Sequence, residues 1–204
     1  SYIEYLLGSD SPMRAEIKAI ELKLRNTKAG RAANDALLKA SGMTAGSLFG
    51  SSGKQWMLKL SKSVHKAQLY FETLGLEPVS ETATGEPAID KHFIKAYKND
   101  VPEVAILDEW SKMTKLLNTY VRGWYKILNT DIDSVKDSYL RPDYSFWDVS
   151  TGRLASKRPS LQTIPSRGNT AKLIKEMFLA PNGRLLVRFD FTAPTPLAGQ
   201  PGRY

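Results

Sequence analysis

The chain reads as mainly α with a small β component, an α+β protein in which helices come first and strands last. Apolar residues recur at helical spacing over residues 13–40 and again over residues 102–128. Strand-like runs come only afterwards, at residues 139–149 and 185–190. With 204 residues, 42% of them hydrophobic and 25% charged, the chain can bury a core and form one or two domains.

Residues 1–12 read as a short lead-in closed by Ser11-Pro12, a helix start with Ser as cap and Pro at the first helical position. From Met13, the residues Ile17, Ile20, Leu24, Leu37 and Leu38 continue one helix of up to about thirty residues, stopped by Gly42. Arg14, Lys18, Lys23, Lys28 and Arg31 lie mostly off its apolar stripe, as a solvated face or as phosphate contacts. Residues 47–53, SLFGSSG, turn the chain, and Ser51 or Ser52 can cap a helix whose buried side is Met57, Leu60, Val64, Ala67, Phe71 and Leu74. A glycine-rich loop opening a helix can cradle phosphate, but GSSGK lacks P-loop spacing and follows no strand, which argues against a nucleotide-hydrolysing site. His65 and His92 read as exposed helical residues, because neither has a second ligand cluster at metal spacing.

Residues 75–90 are a loop punctuated by Pro78, Gly85 and Pro87, and Asp90 caps the short helix after it. Pro102 and Glu103 open the second long helix, with Leu107, Trp110, Met113 or Thr114, Leu117, Tyr120 or Val121, and Trp124 as its apolar stripe. The other face carries Asp108, Lys112, Lys115, Thr119, Arg122 and Lys126 at steps of three and four, so four cations share one side. Such a row can follow a phosphate backbone, and solvated lysines give the same pattern. From Asp131 the chain is briefly polar, then Tyr144, Phe146, Trp147 and Val149 mark a strand-like run.

Residues 151–190 hold eight Lys/Arg against two acidic residues, which accounts for most of the net charge of +8. A concentrated basic stretch attracts a polyanion, nucleic acid or membrane surface alike. The run ends in Leu185, Leu186, Val187, Arg188, Phe189 and Asp190, read as a buried strand that delivers one carboxylate suited to Mg2+. The chain has no Cys, which excludes disulfides and thiolate metal sites, and no apolar run approaches the roughly 18 residues of a membrane span. No internal repeat is visible, and a first residue of Ser rather than Met suggests a processed product or an excerpt.

Thr151-Gly-Arg-Leu, then Ser160-Leu-Gln-Thr-Ile-Pro, then the short basic helix around residues 175–181, then the strand ending in Asp190 resemble the thumb-to-palm passage of family A DNA polymerases, the polymerase I family. The resemblance covers residues 13–192 and is strongest over the last forty. It implies long antiparallel thumb helices over residues 1–130, the first strands of a polymerase palm over 131–192, and an unrelated flexible tail over 193–204. Residues 115–121, KLLNTYV, are similar to a family segment whose Lys meets the primer-template backbone, which implies that role for Lys115. Arg153 is implied at the minor groove near the growing primer end, and Gln162 as a reader of base or sugar in the same groove. Arg and Gln there can check pairing without demanding one sequence, because A·T and T·A present similar minor-groove acceptors. Arg167 and Lys175 are implied on template or incoming phosphates. The family commonly has Asn where Ser160 and Thr163 stand, so those two are given no contact.

Asp190 is implied as the first catalytic carboxylate, binding Mg2+ together with the backbone carbonyl of Phe191. The complete family site holds two such ions, and it is incomplete here. After Thr192 the sequence departs: Thr195 stands near the family's Glu, and Pro194 and Pro196 forbid a paired strand. The second Asp and the nucleotide-binding helix are not found. The resemblance therefore implies a truncated, interrupted or split polymerase product that alone does not extend a primer. Its partners are expected to be primer-template DNA, deoxynucleoside triphosphates only if the missing region is supplied, and a second polymerase chain as one source of that region. No membrane association is expected; the location is cytoplasmic, in the bacterial host if the chain is phage-encoded. The alternative is a non-catalytic duplex or primer-template DNA-binding module.

Overall fold

The computed structural model describes residues 2–42, 56–137, 139–150, 153–165 and 168–187. Among the described residues seven α-helices come before residue 131: α1 (Tyr2–Leu7), α2 (Pro12–Asn26), α3 (Lys28–Ala40), α4 (Ser63–Ala67), α5 (Lys91–Tyr97), α6 (Pro102–Leu116) and α7 (Gly123–Thr130). Two more follow, α8 (Ile132–Asp137) and α9 (Asn169–Lys175). Among the described residues there are two antiparallel strand pairs: β1 (Ser80–Glu81) with β2 (Pro87–Ala88), and β3 (Asp143–Ser145) with β4 (Ala155–Lys157). The mainly α expectation with a small β component therefore holds.

The lead-in is itself largely helical, because Leu6 of α1 is buried in the shared core. Ser11-Pro12 does open α2, although the Ser11 hydroxyl makes no capping bond. The expected thirty-residue helix is two helices. Thr27 is extended at φ −77°, ψ 154°; its N–H donates to Leu24 O at 3.1 Å to close α2, and its Oγ1 accepts from Gly30 N at 2.9 Å to open α3. A short β-branched hydroxyl residue gains more as a cap than inside a helix. Gly30 is needed at this junction, since a Cβ there would lie 2.2 Å from Leu24 O.

Residues 56–62 are not helical, which corrects the helix expected across Met57 and Leu60. Asn34 Oδ1 instead accepts the N–H groups of Met57 (2.6 Å) and Leu58 (3.1 Å), holding that segment extended against α3. The proposed Ser51 or Ser52 cap lies outside the described residues, as does the loop 47–53. Starting the helix at Ser63 changes its phase: Val64 is 73% exposed, whereas His65, Leu69 and Tyr70 are buried. A π-helical turn, Gln68–Thr73, continues α4.

Asp90 caps α5 as expected, accepting from His92 N at 2.8 Å and Phe93 N at 3.1 Å. These bonds, the Phe93 one foremost, hold its carboxyl below the usual carboxylate range. The second long helix runs from Pro102 to Thr130 but contains a π turn, Leu117–Arg122. The extra residue in that turn lets Tyr120 and Val121 both face the core. α2 and α6 are joined by Lys23–Glu109 at 2.8 Å and by Trp110 Nε1–H donating to Glu21 Oε1 at 3.1 Å. The partners pair in opposite chain order, so the two helices lie antiparallel.

The stretch after Asp131 is helix α8, because Asp131 accepts from Ser134 N at 2.9 Å as its cap. The run at 139–149 contributes only the three residues of β3, and Phe146 and Trp147 are exposed. Residues 184–187 form no strand, and Leu185 is 87% exposed, which corrects the buried strand expected there. The physical reason is that no neighbouring strand among the described residues offers them backbone partners or an apolar face.

Candidate nucleic-acid interface

Arg153 stands two residues before β4, exposed and with no ion-pair partner among the described residues. The neighbouring cations of the basic run are engaged. Lys157 pairs with Asp148 at 2.8 Å, and Arg158 with Asp143 at 2.9 Å. β3 opposite β4, with Asp143 facing Lys157 and Ser145 facing Ala155, supplies Asp143, and the chain just after β3 supplies Asp148, so both acids occupy the neighbours and leave Arg153 available.

Gln162 lies beside it. Its Nε2 donates to Leu154 O at 2.7 Å and its Oε1 accepts from Ser156 N at 3.1 Å, so one amide grips the main chain on both sides of Ala155. Ser156 Oγ in turn accepts from Leu161 N (3.1 Å) and Gln162 N (3.3 Å). Residues 154–156 and the LQTIP segment are therefore one folded unit, with Gln162 still exposed and still holding a second amide N–H and a second oxygen lone pair.

That unit is attached to the long helix through Tyr120, whose hydroxyl donates to Thr163 O. Aromatic packing continues the attachment: Tyr120 meets Trp124 at 5.2 Å, and Trp124 meets Phe178, just after α9, at 5.3 Å. α9 docks through Ala171 and Ile174, which leaves Lys172 and Lys175 on its exposed side. Lys172 lies 3.9 Å from Glu176, and Tyr2 donates to the other oxygen of Glu176 at 2.8 Å. Burial and that carboxylate push the Tyr2 phenol up to about 12.

Lys115 lies two residues before the π segment, exposed, in a groove between α5 and α6. The expected row of cations on α6 and α7 is exposed throughout, but Lys112 pairs with Asp108 at 2.7 Å and Arg122 bonds Asn118 at 2.8 Å. Sequence reasoning missed the lysines of α5, which share the Lys115 groove. Arg167, Asp190 and Phe191 lie outside the described residues. Among the described residues no group of three or more His, Asp or Glu could hold a metal ion, and no helix is long and apolar enough to cross a membrane.

His65 corrects the expectation of an exposed histidine. It is 7% exposed, and its Nδ1 accepts from Lys59 N at 3.1 Å. Burial first, then the charges of Lys62 and Lys59, lower its pKa from the ordinary histidine value. It is a structural residue that fixes the turn before α4.

The chain is 30% identical over 132 residues to DNA polymerase I of Caldicellulosiruptor bescii and 32% identical over 133 residues to the DNA polymerase of Bacillus phage SP01, with 61% of this chain covered in each case. It spans 14% of the length of each of these relatives. Among solved structures it is similar to the POL domain of Pol1 from M. smegmatis, solved in complex with DNA primer-template and dNTP, at a TM-score of 0.48 and 19% identity, covering 83% of this chain and 26% of that one. The model of DNA polymerase family A matches residues 45–193, well over half of the sequence and inclusive of Lys115, Arg153, Gln162 and Lys175, so the chain belongs to DNA polymerase family A.

Proposed function

We propose that this chain is the primer-template-binding part of a DNA-directed DNA polymerase and that it carries the first metal-binding carboxylate for nucleotidyl transfer in replication. The observation that carries the reading is the exposed, unpaired Arg153 held in place by the Gln162 bracket. An Arg so placed can enter a minor groove, and the remaining N–H and lone pair of Gln162 can meet a base edge or sugar beside it. Lys115, Lys175 and Arg167 contribute contacts to phosphates, which position a duplex without reading it.

Asp190, with the Phe191 carbonyl, would hold Mg2+. The described residues offer no alternative cluster, so the assignment rests on the family segment that ends in this carboxylate. When bound, the ion neutralises developing charge on transferring phosphate and orients the reacting oxygens. This chain's own part is to present one hard oxygen ligand beside a surface that draws in phosphates. The same reading divides the chain into a thumb-like helical region to residue 130, the start of a palm over 131–192 and a tail over 193–204, supported by the end of α7 at Thr130. Such a polymerase works in the cytoplasm.

The test is fluorescence anisotropy of a labelled primer-template with the 204-residue chain. Arg153→Ala and Lys115→Ala should each weaken binding by roughly threefold to tenfold, the scale of one charge-assisted contact. Wild-type affinity in both variants would overturn the assignment of these residues.

A further inference from the structure

We propose that α5 and its C-cap residue supply a second row of phosphate contacts: Lys91, Lys95 and Lys98, facing Lys112 and Lys115 of α6 across one groove, form a track for a strand of the DNA duplex. The inference rests on the reading of the chain as a primer-template binder and extends that surface to a helix outside it. The groove between α5 and α6 measures about 460 Å3 and is lined by these five lysines and by two acids, Asp90 and Asp108.

Both acids are committed. Asp90 is taken up by the N–H groups of His92 and Phe93, and Asp108 by Lys112. Lys91, Lys95, Lys98 and Lys115 are exposed and form no ion pair among the described residues. The groove carries five cations against two acids. Lysines one helical turn apart on each wall, such as Lys91 and Lys95 or Lys112 and Lys115, stand about 5–6 Å apart along the axis and repel each other within the roughly 8 Å over which physiological salt screens charge. A polyanion in the groove removes that repulsion and gains attraction from both walls.

The spacing selects the polyanion. Lys91 and Lys98 are separated by seven helical residues, about 10 Å along the axis. That is about three phosphate-to-phosphate steps along one strand of a duplex, at about 3.4 Å each. A single small phosphate would need donors aimed at one point. These lysines are instead spread along two helices, which suits a phosphodiester backbone lying between them.

The test compares the wild-type chain with the triple variant Lys91→Gln, Lys95→Gln, Lys98→Gln and with a charge-matched triple, Lys39→Gln, Lys59→Gln, Lys62→Gln, on the same labelled primer-template between about 50 and 200 mM salt. All six side chains are exposed, and circular dichroism melting confirms that each protein is folded. Three lost phosphate contacts should flatten the slope of log K against log salt by about 2 to 3 for the α5 variant, because each contact contributes close to 0.9. Lys95→Gln alone should flatten it by about 1. The charge-matched triple should leave the slope nearly unchanged. An α5 variant whose slope equals wild type, or matches that of the charge-matched triple, overturns the track while leaving primer-template binding intact. A wild-type chain that does not bind the duplex overturns the parent reading and the track together.

Discussion

Tyr120 donates its hydroxyl to the main-chain carbonyl of Thr163, and this bond joins the helix that bears Lys115 to the loop that bears Gln162. Two short segments far apart in sequence are thereby presented on one rigid unit. The π turn makes the contact possible, since the added residue brings Tyr120 to the buried side together with Val121.

Tyr120→Phe keeps the ring packing against Trp124 and removes only the hydrogen bond. It should cost about 1 kcal/mol in urea unfolding. Amide exchange should quicken at Leu161 and Gln162, the donors to Ser156. Unchanged stability and exchange would show that the bond does not hold the loop.

Gly30→Ala places a methyl 2.2 Å from Leu24 O, inside any allowed contact, at the junction of α2 and α3. The junction must open, and the expected destabilisation is about 1–3 kcal/mol, toward the upper end because the clash is with backbone. Thr27→Ala, which removes the cap alone, should cost about 1 kcal/mol. Equal stability of Gly30→Ala and wild type in chemical denaturation would contradict a break at Thr27.

His65 gives a pH signature. Its folded pKa lies below its unfolded value of 6.5, so the unfolded chain binds the extra proton. The contribution is fully present above 6.5 and is lost as pH falls through the lower folded value. Stability should therefore decline on acidification below 6.5, before the carboxylates titrate, and His65→Gln should abolish that decline. An identical pH profile for wild type and variant would place the proton elsewhere.

The helical architecture was legible because its signals are local. Pro102 and Asp90 open helices where their chemistry requires, and the stripe from Leu107 to Trp124 is buried. The break at Thr27 was obscured by apolar periodicity that continues across it, although Thr is itself among the preferred N-cap residues. The π turn escaped because one inserted residue hardly alters an apolar stripe. Arg153 and Gln162 were singled out by their motif, and the bracket that the structure shows around them depends on where one side-chain amide finds main-chain partners. The α5 lysines were not legible beside Lys115, because only the packing of α5 on α6 puts them in one groove. Residues 185–187 misled, since an apolar run has strand character only when a neighbouring strand is present.

Leu186→Ser tests that last correction. At an exposed unpaired position it should change unfolding stability by less than about 0.5 kcal/mol. A buried strand residue would lose about 2–5 kcal/mol on such truncation, and a loss of that size would restore the buried strand.

The central claim is that the exposed cations of this chain hold a DNA duplex through its phosphates. Its most direct test is the equilibrium affinity of the wild-type chain for a primer-template at 50 and 200 mM salt. Phosphate contacts from Lys115, Arg167 and Lys175 predict a fall of roughly fortyfold across that interval, since each neutralised phosphate releases counterions. An affinity that stays the same at both concentrations would contradict the claim.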